Sequence, residues 1–335
     1  MNKCMLMVLL TCLSANALAS SYANHPEALK VADELASEGL DRERVLTLLG
    51  TAQRQDTILE RIAKPAEKTL TWADYRRLFV QPDRVEQGLE FWRAHKTTLA
   101  AVEAEHGVPA EMILAILGVE TRYGRHKGTW RVLDALTTLG FDYPPRAPFF
   151  RGQLKELFRL EQKAGIDISD VTGSYAGAMG YPQFIPTSYI HYAVDQDQDQ
   201  RIDLLNNPLD AIGSIANYFR VHGWQKGLPV AARARVKGNK WRALIQELDK
   251  PRTTLGEARK AGAVSVSCKE SRFCFDGLPD DTAIALIELQ GDQGSEFWLT
   301  TQNFYVITRY NHSYLYAMAA YHLSRDLHEQ GGERR

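Results

Sequence analysis

Neither sign of charge is in excess in this 335-residue chain: 40 Lys and Arg stand against 41 Asp and Glu, a formal net charge of −1. A near-neutral chain without a basic stripe or a recognition motif is a poor match for a protein that grips DNA or RNA. A local basic cleft for a partly anionic polymer remains compatible. Long apolar runs are scarce: residues 5–13 form one, and it is too short to stay in a bilayer as an anchor. Internal repeats and low-complexity tracts are lacking, which argues against a solenoid and against a disordered tail. Cysteine is rare, with four in all, and Cys4 and Cys12 fall in the N-terminal stretch that contains this run.

That stretch reads as an export signal. Lys3 supplies the positive start, the apolar run follows, and Ala17-Leu18-Ala19 offers small residues to a signal peptidase. The expectation is a signal peptide at 1–19 and a soluble exported protein in the periplasm. A lipoprotein anchored at Cys12 in the outer membrane is the rival, although Thr11 stands where a smaller residue is usual. A buried N-terminal helix fits worse, since nothing polar alternates with the apolar residues. Cys268 and Cys274 remain. An even pair, close in sequence, in an oxidising compartment reads as one local disulfide, worth about 2–3 kcal/mol at most. Two free buried thiols are the alternative. Two thiols alone do not make a structural zinc site.

The fold class predicted is α+β, mainly helical. Residues 20–105 read as a helical domain, with apolar spacing over 28–35, a stop at Gly39 and a cap at Asp41 for a helix over 42–49. Residues 106–225 read as the core. Within it a helix over 109–119 is apolar on most sides, and helices are predicted over 151–164 and 209–222. Residues 226–300 read as a small β-rich domain, with strand-like runs over 230–236, 264–275, 282–288 and 297–300 and a short helix over 241–248. Residues 301–335 return to helix, over 303–327, and dock on the core.

Glu120 is the sharpest candidate for chemistry. It ends the apolar helix, with Leu117 and Ile116 on its face. Lost hydration there favours the protonated carboxyl, which a general acid needs to release a glycosidic oxygen. The bland reading is a helix-end glutamate paired with Arg122 or Arg125. The run from Ser174 to Tyr189 mixes small residues, amides, hydroxyls and aromatics. Gln183 and Ser174 offer hydrogen bonds, and Tyr181 and Tyr189 offer faces on which a sugar stacks; a tight loop packed by aromatics is the other reading. The segment from Arg309 to Tyr316 is dense in aromatics, and His312 in it reads as structural. Asp195, Asp197, Asp199 and Asp203 fall at positions 1, 3, 5 and 9 of a calcium-type loop, with the Arg201 carbonyl at position 7. Gln200 takes the turn-glycine place and Asn206 stands where a glutamate would close the loop; Asp210 lies further on. A solvated acidic loop is the alternative.

Taken in order, Phe91-Trp92, the segment from Gly118 to Gly124, Leu133-Asp134-Ala135-Leu136, Phe141-Asp142-Tyr143-Pro144, the stretch from Gly177 to Tyr189, the run from Ala211 to Phe219 and Tyr310-Asn311-His312-Ser313 resemble the lytic murein transglycosylases of the membrane-bound B type and their soluble relatives. The resemblance covers nearly the whole mature chain. It implies a lysozyme-like catalytic core joined to a helical N-terminal domain and a small β domain. It implies non-hydrolytic cleavage between N-acetylmuramic acid and N-acetylglucosamine, with Glu120 as the one catalytic carboxylate. Ser174, Gln183, Tyr189, Asn311 and Tyr316 match positions that line the cleft or hold the acid, and Tyr143 and Tyr310 are further wall or sugar contacts. A structural Ca2+ held by Asp195, Asp197, Asp199, the Arg201 carbonyl and Asp210 is implied as well, in a loop that lacks the family's glycine. No cofactor is required for the chemistry. The partners implied are peptidoglycan glycan strands and the cell-wall synthesis machinery, and the chain is expected to be a monomer. No second carboxylate stands convincingly beside Glu120, although Asp134 and Asp142 remain open. A hydrolytic muramidase and a non-catalytic peptidoglycan-binding protein are the alternatives in function.

Overall fold

The structure is a computed structural model that describes residues 22–63, 70–248, 250–267 and 273–332. The expected signal at 1–19, with Cys12, and Cys268 of the expected disulfide lie outside the described residues.

Among the described residues six α-helices follow the 3-10 turn Tyr22–Asn24: α1 (Pro26–Ser37), α2 (Arg42–Thr51), α3 (Asp56–Ala63), α4 (Trp72–Phe79), α5 (Pro82–Ala94) and α6 (Lys96–His106). Their ends follow from local chemistry. Asp41 accepts from the N–H groups of Glu43 and Arg44, and Thr71 forms a reciprocal capping box with Asp74. Gly107 then ends α6 in the left-handed conformation. The 109–119 prediction becomes α7 (Ala110–Thr121), in which every residue except Glu120 is buried. A helix apolar all round belongs in a core, and α5, α6, α11 and α14 pack about it.

Beyond α7, strand β1 (Trp130–Arg131) pairs antiparallel with β2 (Thr172–Gly173) across the hairpin of α8 (Val132–Asp142) and α9 (Ala147–Ala164). Helix α9 begins four residues before the predicted 151, with Pro148 in its first turn. Helices α10 (Pro186–Tyr192) and α11 (Pro208–Val221) complete this part. The N-terminal helices share its interior: one buried cluster runs from Tyr22 to Leu327.

Strands β3 (Ala231–Val236), β4 (Thr253–Thr254), β5 (Ala263–Ser265), β6 (Ala283–Gly291) and β7 (Gly294–Thr300) form an antiparallel sheet in the order β4-β6-β7-β3-β5, with α12 (Leu255–Lys260) beside it. Side chains alternate between faces. Ile284, Leu286 and Leu299 bury in a small second core with Trp241, Leu255 and Phe275, whereas Ile287, Leu289 and Trp298 join the main core. The strand predicted over 264–275 ends at Ser265, and the helix expected over 241–248 is a single 3-10 turn, Lys240–Leu244.

The helix predicted over 303–327 is two: α13 (Gln302–Tyr310) and α14 (Tyr314–Gly332). Asn311 is extended (φ −139°, ψ 125°), and the Ser313 hydroxyl accepts the Tyr316 N–H at 3.3 Å to start the second helix. This corner turns Tyr316 toward the end of α7.

Candidate active site

The last turn of α7 presents Glu120, and an unusual termination holds it there. Arg122 and Tyr123 are consecutive non-glycine residues in the left-handed region (φ 49° and 61°), which is uncommon and costs energy. The N–H of Tyr123 reaches back to the Leu117 carbonyl at 3.0 Å. Its ring folds between α5 and α7 into space left by two glycines: a Cβ on Gly88 or Gly118 would stand 2.3 or 2.6 Å from the Tyr123 hydroxyl oxygen. Arg122 pairs with Asp83. Thr121 Oγ1 donates to the Tyr181 carbonyl (3.0 Å) and accepts the Gly124 N–H (2.9 Å). Gly124 has φ 87°, and a Cβ there would lie 2.0 Å from the Tyr181 ring.

Tyr316 Oη donates to Glu120 Oε1 at 2.7 Å. Burial, reinforced by the Glu120 charge, holds the Tyr316 hydroxyl well above the usual phenol range, so it is a neutral donor. Tyr310 lies parallel to it, ring centres 6.4 Å apart at 7°. The Tyr310 hydroxyl donates to the Pro182 carbonyl at 2.6 Å, and burial and Glu120 push it up as well. Glu120 therefore faces an aromatic wall that joins α13 and α14 to the 174–185 loop.

That loop is a network of fixed contacts. Ser174 Oγ accepts from the N–H groups of Ala176 (3.3 Å) and Ala178 (3.0 Å). Gln183, itself left-handed (φ 50°), donates through Nε2 to the carbonyls of Lys127 (3.1 Å) and Gly180 (2.9 Å). The Lys127 ammonium lies 4.6 Å from the centre of the Tyr181 ring, a cation–π contact absent from the sequence reading.

Tyr189 is 2 % exposed. Its hydroxyl donates to the Ile202 carbonyl and accepts the Leu204 N–H, both at 2.9 Å. The stacking face expected of it is inside the protein, where it pins the acidic loop. Tyr143 and Asn311 are half-buried at the ends of α8 and α13. Asp134 and Asp142 are committed away from Glu120. Asp134 accepts from Arg131 (2.9 Å) and the Gln53 N–H (3.0 Å), and Asp142 holds Tyr22 and Arg54.

The acidic loop gathers carboxylate oxygens of Asp195, Asp197 and Asp210 within 4.8 Å of one another. Asp210 is fully buried, fixed by the N–H groups of Gln196 and Asp203 at 2.8 Å. Burial, then the charges of Asp197 and Asp195, raises its carboxyl above the usual range. Three converging carboxylates, one buried and hydrogen-bonded as an anion, suit a hard cation bound through oxygen. Gln198 and Gln200 take the left-handed turns (φ 60° and 71°) that such loops usually give to glycine. Asp199 is turned differently from the expected ligand set: its Oδ1 caps the Arg201 N–H at 2.8 Å. The loop also reaches the site, because the Lys127 ammonium donates to the Leu205 carbonyl (2.6 Å) and the Tyr181 N–H to the Leu204 carbonyl (3.0 Å).

A mostly helical chain with a small sheet and one glutamate at the end of its central buried helix defines a class, the lytic transglycosylases with a lysozyme-like fold. The chain belongs to the transglycosylase SLT domain family, which matches residues 23–325. It is 37% identical over 318 residues, 92% of this chain and 84% of the relative, to membrane-bound lytic murein transglycosylase B of Escherichia coli strain K12. The crystal structure of soluble lytic transglycosylase SltB1 from Pseudomonas aeruginosa superposes with a TM-score of 0.85 at 42% identity, covering 92% of this chain and all of that one. The Escherichia coli lytic transglycosylase SLT35 in complex with calcium gives 0.82 at 37% identity, over 92% and 95% of the two chains.

Proposed function

We propose that this protein is a peptidoglycan lytic transglycosylase in which Glu120 serves first as acid and then as base. The single observation that carries the residue assignment is the 2.7 Å hydrogen bond from the buried Tyr316 hydroxyl to Glu120. Family membership supports the reaction class.

The carboxyl of Glu120 gives its proton to the glycosidic oxygen, and N-acetylglucosamine leaves with the bond electrons. The 2-acetamido group of the muramyl residue supports the developing cation from within the substrate. The Glu120 carboxylate, its hydrogen bond from Tyr316 strengthened by the charge, takes the proton from the muramyl C6 hydroxyl, whose oxygen closes onto C1 as a 1,6-anhydro ring. One carboxylate suffices because the second nucleophile belongs to the substrate, and the held geometry replaces a bimolecular encounter. Hydrolytic glycosidases generally need a carboxylate pair. The commitments of Asp134 and Asp142 fit the one-carboxylate route. Ser174, Gln183 and Tyr310 shape the loop that faces Glu120, and Asn311 and Tyr143 supply wall groups.

A calcium ion is assigned to Asp195, Asp197 and Asp210 in a structural part. It offsets their mutual repulsion and so steadies the loop that carries Tyr181 against α7. The protein acts in the periplasm after export, with Cys268 and Cys274 as one disulfide. Among the described residues no helix is long and apolar enough to cross a membrane.

The test is Glu120→Gln on purified sacculi. The expected result is near-total loss of cleavage with an unchanged circular dichroism spectrum. Full activity in the variant overturns the assignment, and a wild type that binds sacculi without cutting them makes the protein a binding module.

A further inference from the structure

A sizeable cavity lies at the other end of α7 from Glu120. It has a volume of about 750 Å³ and is walled by Trp92, Met112, Trp224, Phe273 and Tyr321. From Met112 to Glu120 the helix rises roughly 12 Å, so this cavity is outside the catalytic site. Its size and its mainly apolar, aromatic wall are those of a small-molecule site.

The charged groups around it are asymmetric. Glu103 Oε2 accepts the Ala110 N–H at 3.1 Å, and Glu111, 4 % exposed, lies 3.3 Å from His328 Nδ1. Both carboxylates are thus committed, and they answer the positive end of α7. Lys96 and Lys226 also line the cavity, are exposed, and are in no ion pair among the described residues. Lys226 is placed rather than loose: its stem crosses Gly107, where a Cβ would stand 2.8 Å from Lys226 Cβ.

We propose that this cavity binds a small amphiphile with an apolar body and one anionic end, the body against Trp92 and Trp224 and the anion beside Lys96 and Lys226. A medium-chain fatty carboxylate is the simplest ligand of this class. Both cations lack a partner and both acids have one, so the end that completes the site is negative. The apolar wall excludes a bare inorganic anion, which would lose its hydration there. The site stands independently of the cleavage reaction.

The test titrates the whole purified protein with free decanoate below its micelle concentration. Tryptophan emission and melting temperature are followed, with decanol as the uncharged control. Saturable 1:1 binding and a rise in melting temperature are expected. Ala104→Trp and, separately, Ala100→Trp fill the cavity and abolish binding. Lys96→Gln with Lys226→Gln weakens decanoate binding about fivefold and leaves decanol binding as in wild type. All variants cut sacculi at the wild-type rate. Lack of saturation, binding that survives both tryptophan variants if these remain folded by circular dichroism, or equal loss of decanol and decanoate binding in the lysine variant overturns the proposal. So does binding to phosphatidylglycerol vesicles in the absence of any binding of free decanoate.

Discussion

Replacing Tyr316 by Phe removes one oxygen from the account's main contact and little else. The phenol is 2 % exposed, and its hydroxyl donates to Glu120 Oε1 at 2.7 Å. A hydrogen bond of this kind strengthens as its acceptor ionises, since charge-assisted bonds are worth about 1.5–3 kcal/mol against about 1 for neutral ones. In the proposed reaction Glu120 becomes an anion as the glycosidic bond breaks, so about 0.5–2 kcal/mol of that bond is gained on the way to the transition state. Its loss therefore lowers kcat/KM by roughly twofold to thirtyfold, mainly through kcat. The pH profile checks the direction. A donor to the carboxylate favours the ionised form, so removing it favours the protonated form, and the alkaline limb of kcat/KM moves to higher pH. The assay is release of soluble muropeptides from sacculi across pH, with melting temperature as the control for folding. A Tyr316→Phe enzyme with wild-type kcat/KM, or one whose alkaline limb moves down, would mean that this hydroxyl does not stabilise the Glu120 anion.

Gly124→Ala puts a side chain at φ 87°, 2.0 Å from the Tyr181 ring; it is expected to destabilise the fold by at least about 1–3 kcal/mol in urea melts, with a loss of activity. Calcium at a hundredfold excess over its dissociation constant is expected to add about 2.7 kcal/mol to stability, read by calorimetry with and without chelator. Asp210→Asn abolishes that increment, and cleavage by the calcium-free enzyme at a temperature where it is folded stays near wild type. His322 is half-buried, its ring packed against Trp72 and Trp298, and loss of hydration there, with the Arg76, Arg325 and Arg233 charges adding, pushes it down to about 3. The unfolded chain binds this proton and the folded one does not between about 3 and the usual 6.5, so stability conferred by the neutral ring is present above 6.5 and lost as pH falls toward 3. His322→Phe flattens that part of the stability curve, measured by urea melts at stepped pH.

What was legible in the sequence is what periodicity and spacing encode. The helix under Glu120 was plain because Met112, Ile113, Ile116, Leu117 and Val119 leave no polar face, and the sheet region because its short runs are broken by glycine and aspartate. The corner between α13 and α14 carries neither glycine nor proline; it depends on Ser313 capping a new helix. The termination of α7 was equally hidden, because Arg122 and Tyr123 adopt left-handed backbone only where Gly88 and Gly118 leave room for the Tyr123 ring. At the site, the resemblance alone groups Ser174, Gln183, Tyr189, Asn311 and Tyr316 as residues that line the cleft or hold the acid, and only the fold shows that the Tyr316 hydroxyl donates to Glu120 while Gln183 and Tyr189 turn to the backbone. Their partners are the Lys127, Gly180 and Ile202 carbonyls and the Leu204 N–H. Backbone acceptors brought close by folding leave no mark in residue type. The acidic loop shows the same limit: spacing placed Asp195, Asp197, Asp199 and Asp203 in one loop, but which oxygens converge was decided by the burial of Asp210.

The central claim is that the substrate's own C6 hydroxyl, served by one glutamate, does the attacking. Mass spectrometry of the muropeptides released from purified sacculi measures this directly. Muramyl termini lighter by one water than reducing ends are expected from the first turnovers onward; release of reducing-end termini alone would mean that water, not the C6 hydroxyl, attacks.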